Sequence, residues 1–161
     1  DLYFQGGSGM QCEEKLEVFE NGFKDEKFNV EVKFYGNDAR KVLLAMIYEL
    51  YLPEYGREYV YPFECAKEFW NIYLEGEEIQ DEEFQLKPIK FTSEQVIKKL
   101  QEEIKKIKPP LEIKIEEAKI YKTKEGYLAV GNYFILDPRG RLFIFNKPSI
   151  ANKILKYIWK W

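Results

Sequence analysis

Tyr133, Asp137 and Arg139 are the residues whose types and spacing first suggest chemistry in this sequence. They flank the turn in GNYFILDPRGRLFIFNK, residues 131–147, which joins two apolar runs. In a nuclease, a tyrosine, an aspartate and an arginine beside one turn could belong to an active site. The same residues suit a hairpin, because aspartate accepts backbone N–H groups, proline presets φ and glycine supplies a positive φ. We favour the hairpin, with phosphate contact by Arg139 and Arg141 as the alternative.

Glu112 and Lys114 resemble the E-x-K half of a metal-dependent nuclease, in which carboxylates hold Mg²⁺ and a lysine orients the attacking water. The pair lies in LEIKI, whose alternation is typical of an amphipathic strand with one wet face. The earlier aspartate that such a site requires is not evident, since Asp81 lies before a helix. We favour the solvated strand and keep the Mg²⁺-dependent nuclease as an alternative function.

The sequence contains no histidine, although histidine is the commonest general acid or base near neutral pH. Catalysis by a Ser-His or Cys-His pair is therefore excluded. A zinc site would need cysteines or carboxylates, and Cys12 and Cys65 lack the spacing of a metal-binding pair. We predict no catalytic residue, no metal and no cofactor, and we expect thiols of an intracellular protein.

Charge is unevenly distributed along a chain whose net charge is −3. Residues 75–83 contain six acids and no base, whereas residues 138–161 contain six bases and no acid. The acidic stretch favours a solvated loop, with docking onto a basic partner as the alternative. The basic stretch is also aromatic, which suits either nucleic-acid binding or a protein interface. We favour the interface, because so small a C-terminal unit offers these aromatic side chains little core.

The N-terminal residues and the overall composition add expectations about source and location. Residues 1–9 look like an expression-tag remnant, so we expect the native chain to begin at Met10. Abundant lysine, glutamate, isoleucine and tyrosine suggest a thermophilic source. No apolar run approaches 18 residues, so we expect a cytoplasmic protein without a membrane span.

The first half of the sequence predicts strands and then helices. Residues 15–35 alternate apolar and polar positions around Asn21-Gly22, which predicts a hairpin and a further strand. A broad apolar stripe predicts a helix over residues 38–52. Apolar residues three and four apart predict a second helix over residues 63–75, which Gly76 ends.

The second half predicts one more helix and then strands. The third helix begins at a capping-box pattern, TSEQ, that starts at Thr92, and it ends at a Pro-Pro pair. Three strand candidates follow, and residues 152–161 predict a short terminal helix or strand. We therefore predict an α+β fold, with an N-terminal α+β domain at residues 10–108 and a small β-rich domain with a mixed sheet at residues 109–161.

Several short motifs occur in a set order along the chain. Tyr55-Gly56 ends the first predicted helix, Glu68-Phe69-Trp70 precedes Gly76 and Ile79, and Thr92-Ser93-Glu94 opens the third helix. A Tyr, Gly-Tyr, Val, Gly and Phe series then follows in YKTKEGYLAVGNYFIL, at Tyr121, Gly126, Tyr127, Val130, Gly131 and Phe134. Over residues 16–136 this order resembles the archaeal tRNA-splicing endonucleases, a family with an N-terminal α+β domain and a C-terminal domain that holds the active site.

The resemblance implies a non-catalytic structural subunit. Catalytic subunits of the family use a tyrosine, a histidine and a lysine to cleave RNA without metal, and this chain has no histidine. Leu136-Asp137-Pro138 stands where the loop with the catalytic tyrosine is expected. By analogy, the chain would pair with a catalytic subunit, build a shared sheet with its C-terminal strands and help to position the intron-containing precursor tRNA. A replication or viral accessory adaptor is a further alternative.

These expectations assign two sets of residues. The apolar C-terminal strand and a nearby tryptophan are predicted to contact the partner subunit: Leu142, Phe143, Ile144, Phe145 and Trp159. Four cations are predicted to contact RNA or the partner: Arg139, Arg141, Lys147 and Lys153.

Overall fold

The computed structural model describes residues 9–13, 16–55, 61–72 and 86–158. Eight strands lie in these ranges: β1 Gly9–Glu13, β2 Leu16–Phe19, β3 Gly22–Asp25, β4 Val30–Tyr35, β5 Lys119–Lys122, β6 Tyr127–Val130, β7 Phe134–Leu136 and β8 Leu142–Phe145. The helices are α1 Arg40–Tyr55, α2 Tyr61–Trp70, α3 Glu94–Ile107 and α4 Ile150–Ile158, with a 3₁₀ turn at Ile115–Glu117. The prediction of an α+β fold is confirmed.

The eight strands form one sheet in the order β1-β2-β3-β4-β8-β7-β6-β5. Every neighbouring pair in it is antiparallel. The predicted mixed sheet was therefore wrong. Short turns join β5 to β6, β6 to β7 and β7 to β8, and a short turn reverses the chain and makes its two strands antiparallel.

Alternation along the strands gives the sheet two apolar faces. The first face carries Val32 and Phe143, and it packs against α1, α2 and α4. The second face carries Leu136 and Leu142, and it packs against Leu100 and Ile104 of α3. Strand β8 contributes to both faces, which explains why its sequence is apolar at every position instead of at every second one.

The sheet joins the two predicted domains. Residues 32–35 of β4 pair with residues 142–145 of β8, so the N-terminal and C-terminal strands are adjacent at the middle of the sheet. Helix α4 packs against α1, while α3 packs against the strands that follow it. Each core cluster consequently contains residues from both sides of the predicted boundary at residue 108.

The helix ends differ in detail from the predicted ones. Helix α3 is capped by Ser93, whose side chain accepts a hydrogen bond from the backbone N–H of Val96, and not by Thr92 as expected. It ends at Ile107, and the C-cap residue Lys108 adopts a left-handed conformation. Helix α2 ends at Trp70. The acidic stretch 75–83 and the tag remnant up to residue 8 lie outside the described residues.

Cys65 lies in α2 and is disulfide-bonded. Helix α2 packs against β1, the strand that contains Cys12, the other cysteine of the chain. The expectation of reduced thiols was therefore wrong for Cys65. Disulfides are rare in most intracellular proteins, but they are common in those of hyperthermophilic archaea. None of the described helices is both long and apolar enough to cross a membrane.

We predict that reduction destabilises the protein. A cross-link removes conformations from the unfolded chain, so adding dithiothreitol should lower the free energy of unfolding by about 2–4 kcal/mol. Chemical denaturation with and without the reductant measures the change. The Cys65→Ala variant is the control, since its unfolding midpoint should no longer respond to dithiothreitol. An unchanged wild-type midpoint would contradict the prediction.

Candidate functional site

The apolar strand that was predicted to bind a partner lies inside the sheet. Strand β8 has β4 on one side and β7 on the other, so no strand of a second chain can pair with it. Leu142, Phe143 and Phe145 are buried within this chain. The prediction that these three residues form the partner contact was therefore wrong, because the helices on both faces of the sheet already cover them. Ile144 is half-buried, and Trp159 lies outside the described residues.

The turn between β7 and β8 is a hairpin turn, as predicted. The backbone N–H of Gly140 donates to the carbonyl of Asp137, and the N–H of Asp137 donates to the carbonyl of Arg141. The Asp137 carboxylate accepts the backbone N–H groups of Arg139 at 3.0 Å and Arg141 at 2.8 Å. Asp137 therefore holds the turn together instead of facing solvent.

Arg141 is 1% exposed and is bonded within this chain. Its Nε donates to Asp137 Oδ2 at 2.5 Å, and its terminal nitrogens donate to the carbonyls of Asp38 and Ile158 at 3.3 and 3.2 Å. The prediction that Arg141 contacts RNA or a partner was wrong, because its guanidinium is buried and engaged. Its positive charge also lies at the C-terminal end of α4, where the helix dipole favours a cation.

Arg139, in contrast, is at the surface. Its Nε and one terminal nitrogen donate to the two carboxylate oxygens of Glu125, at 2.9 and 3.2 Å. The hydrogen bond from Arg139 is the main reason that the pKa of Glu125 lies below its ordinary value. Contact of this exposed arginine with RNA or a partner stays a prediction, and any such contact would compete with Glu125.

Lys147 and Lys153 are brought together at one cavity. The cavity has a volume of about 150 Å³ and lies between the β3–β4 turn, α1 and the start of α4. Lys147 Nζ donates to the carbonyl of Phe28 at 2.8 Å. Both lysines are half-buried. They are thus far more enclosed than the surface cations expected from the sequence.

Glu112 and Lys114 do not lie in a strand. Residues 112–114 belong to no helix or strand and are followed by the 3₁₀ turn. Both side chains are exposed and line a cavity of about 290 Å³ together with Glu117 and Tyr133. Across the part of the chain that the structure describes, no group of three or more histidine, cysteine, aspartate or glutamate residues could hold a metal ion.

A groove on the second face of the sheet was not foreseen from the sequence. Helix α3 packs on the C-terminal strands of this face, whereas Glu31, Lys33 and Tyr35 of β4 are only half-buried beside it. A cavity of about 210 Å³ lies where the chain after α3 meets these strands, and Leu111 and Ile144 are among its lining residues. We call this surface the Leu111 groove.

The Leu111 groove has an apolar centre and a charged rim. Leu111 is 44% exposed and also lines the neighbouring cavity that contains Tyr133, itself 52% exposed. Burial raises the pKa of the Tyr35 phenol. At the rim, Lys33 Nζ lies 3.9 Å from Glu31 Oε1. The alternation in VEVKFY could have revealed the face of β4, but no local pattern indicated that Leu111 would lie beside it.

The motif residues behind the family resemblance have roles in the hairpins. Gly126 has a φ of +143° in the β5–β6 turn, where its N–H donates to the side chain of Thr123. A side chain at Gly131 would meet the ring of Phe134 at 2.2 Å. Tyr121 is buried in β5. These requirements are those of the local turns and packing, so they account for the residues without reference to RNA.

Comparisons with known proteins identify an archaeal relative. A family model described as Ph1570 protein matches residues 10–161. The crystal structure of ORF 1580, described as a hypothetical protein from Pyrococcus horikoshii, is 98% identical in sequence over the whole of both chains, with a TM-score of 0.91. The comparison with curated proteins gives no match. Neither matching description mentions tRNA splicing.

We predict that the two arginines of the β7–β8 turn differ in their contribution to stability. Arg141→Met should lower the free energy of unfolding by about 3–5 kcal/mol, because it leaves the Asp137 carboxylate buried without its cation. The matched variant Arg139→Met removes an exposed pair and should leave the free energy of unfolding almost unchanged. Guanidinium denaturation measures both values. Equal losses would contradict the burial argument.

Proposed function

The chain belongs to the Ph1570 protein family, and from the geometry of its sheet we propose that it is a non-catalytic subunit that binds a partner protein in the Leu111 groove. The observation that carries this proposal is the exposed apolar centre of the groove, formed by Leu111 beside Ile144 and Tyr35. Apolar anchors surrounded by a polar rim are the usual anatomy of a protein interface.

The size of the groove suits one anchoring side chain. Its cavity of about 210 Å³ exceeds the roughly 150 Å³ in which an apolar protein cavity takes up benzene. An aromatic or long aliphatic side chain of the partner could therefore enter between Leu111 and Ile144. Tyr35 lies at the same cavity and offers a hydroxyl group to a polar atom of the incoming segment.

The charges around the groove favour a protein over a nucleic acid. Glu31 and Lys33 lie at the groove, and Glu112, Lys114 and Glu117 line the adjoining cavity. These three acids and two lysines give a mixed rim, whereas a phosphate backbone is bound by predominantly positive surfaces. We therefore commit to a partner segment that presents a large apolar side chain between an acidic and a basic residue.

The partner expected from the sequence is the catalytic subunit of an archaeal tRNA-splicing endonuclease, with precursor tRNA reached through the complex in the cytoplasm. The position of β8 changes how such a pairing would occur. Because β8 has neighbours on both sides, a shared sheet through this strand is unavailable. The Leu111 groove replaces it as the contact surface in our proposal.

A Mg²⁺-dependent nuclease is the second candidate function, since Glu112 and Glu117 line one cavity with Lys114. Two exposed carboxylates beside a lysine form only part of such a site. Metal-dependent cleavage of RNA or DNA by the isolated chain, lost in Glu112→Ala, would favour this enzyme over the binding subunit.

We predict that one charge in the groove prevents partner binding. The chain is co-expressed with a histidine-containing tRNA-splicing endonuclease subunit from the same organism, and complex formation is measured by size-exclusion chromatography with light scattering. Leu111→Glu should weaken binding about tenfold or more, because it places a charge at the apolar centre. Phe91→Glu is the matched control, since Phe91 is 85% exposed and does not line the cavity of the groove.

Two outcomes separate the partner from the surface. If the wild-type chain forms no complex, the tRNA-splicing partner is wrong. The groove is then tested with a displayed library of random peptides, selected on the wild-type chain. If selected peptides bind Leu111→Glu as tightly as the wild type, the groove itself is not the binding surface.

A further inference from the structure

We propose that the cavity beside Lys147 and Lys153 binds a small organic carboxylate that carries a compact apolar group. The site is independent of the Leu111 groove, because it lies on the first face of the sheet, between β4, α1 and the beginning of α4. The proposal therefore does not depend on the partner-binding function.

The inner wall of this cavity is apolar and well buried. It is lined by Val30 of β4, Met46 and Leu50 of α1, and Ile150 of α4, all of which belong to the main core. Its volume of about 150 Å³ corresponds to that of an apolar cavity known to accept benzene. The bound group should accordingly be no larger than a phenyl ring or a short branched alkyl chain.

The rim of the cavity is cationic. Lys147, Lys153 and Ser149 are its polar lining residues, and no acidic residue appears among the described residues that line it. Lys147 Nζ is fixed by its bond to the carbonyl of Phe28, which uses one of its three donor positions. A fixed ammonium group and a second lysine in the lining of the same cavity favour a carboxylate there.

The neighbouring charges are engaged within the chain. Lys27 Nζ lies 5.5 Å from the centroid of the Phe28 ring, and Phe28 lines the cavity. The nearby carboxylate of Asp25 is buried and accepts the hydroxyl of Tyr51 and the backbone N–H groups of Lys27 and Phe28. Asp25 is not among the residues that line the cavity, so the lining combines an apolar interior with a positive entrance.

The methionines provide a direct test of the position. The chain has two methionines, Met46 in the cavity wall and Met10 in β1. Protein labelled with ¹³C at the methionine methyl groups is titrated with phenylacetate, and Met10→Leu assigns the two signals. We predict a saturable shift of the Met46 signal and an unchanged Met10 signal. No saturable shift at millimolar phenylacetate would overturn the proposal.

Two comparison compounds and three variants test the chemistry. Phenylacetamide lacks the negative charge and acetate lacks the apolar group, so both should bind at least about tenfold more weakly than phenylacetate.

The Lys153→Met variant should bind phenylacetate about tenfold more weakly, and Lys153→Arg should restore the affinity. Lys105→Met, on the exposed face of α3, is the control for net charge. Equal binding of phenylacetamide, or equal weakening by Lys105→Met, would overturn the proposal.

Discussion

The buried ion pair of Arg141 and Asp137 is the constraint on which the arrangement of the layers depends. Its guanidinium joins three separate parts of the chain: the β7–β8 turn, the residues before α1 and the end of α4. Two charges without water are costly, so they are tolerated only where every donor finds an acceptor. The backbone approaches closely here, since a side chain at Gly36 would meet the carbonyl of Gly140 at 3.0 Å. The pair therefore fixes how α1 and α4 cover the first face.

The way in which the helices cover the sheet determines which surfaces remain for binding. Helices α1, α2 and α4 occupy the first face and leave the small cavity beside Lys153, whereas α3 is the helix that packs on the second face. Strand β4 keeps charged residues such as Lys33 half-buried. The Leu111 groove lies between these strand residues and the chain that follows α3. Each candidate site thus lies at a place where the helices no longer cover a face of the sheet. Neither one depends on an exposed strand edge.

Local patterns in the sequence predicted local structure well and long-range structure poorly. The hairpins at Asn21-Gly22 and at Asp137 followed from turn chemistry, and the helices followed from apolar stripes. The pairing of β4 with β8 joins residues more than 100 positions apart, and no local pattern encodes it. Without that pairing, the apolar residues of β8 looked like an unsatisfied surface. For the same reason, local patterns did not predict the burial of Arg141 or the position of Leu111.

The family resemblance can now be separated from the site. Gly126 and Gly131 are required by the turns that they occupy, and Tyr121 is required by the core. Any chain that threads these antiparallel hairpins would need similar residues at similar spacings, so the motifs carry information about turns before they carry information about RNA. The choice of a tRNA-splicing partner consequently depends on the order of the motifs alone. The proposed docking of a protein segment in the Leu111 groove depends instead on exposed apolar atoms and a mixed rim, so it does not depend on which partner supplies that segment.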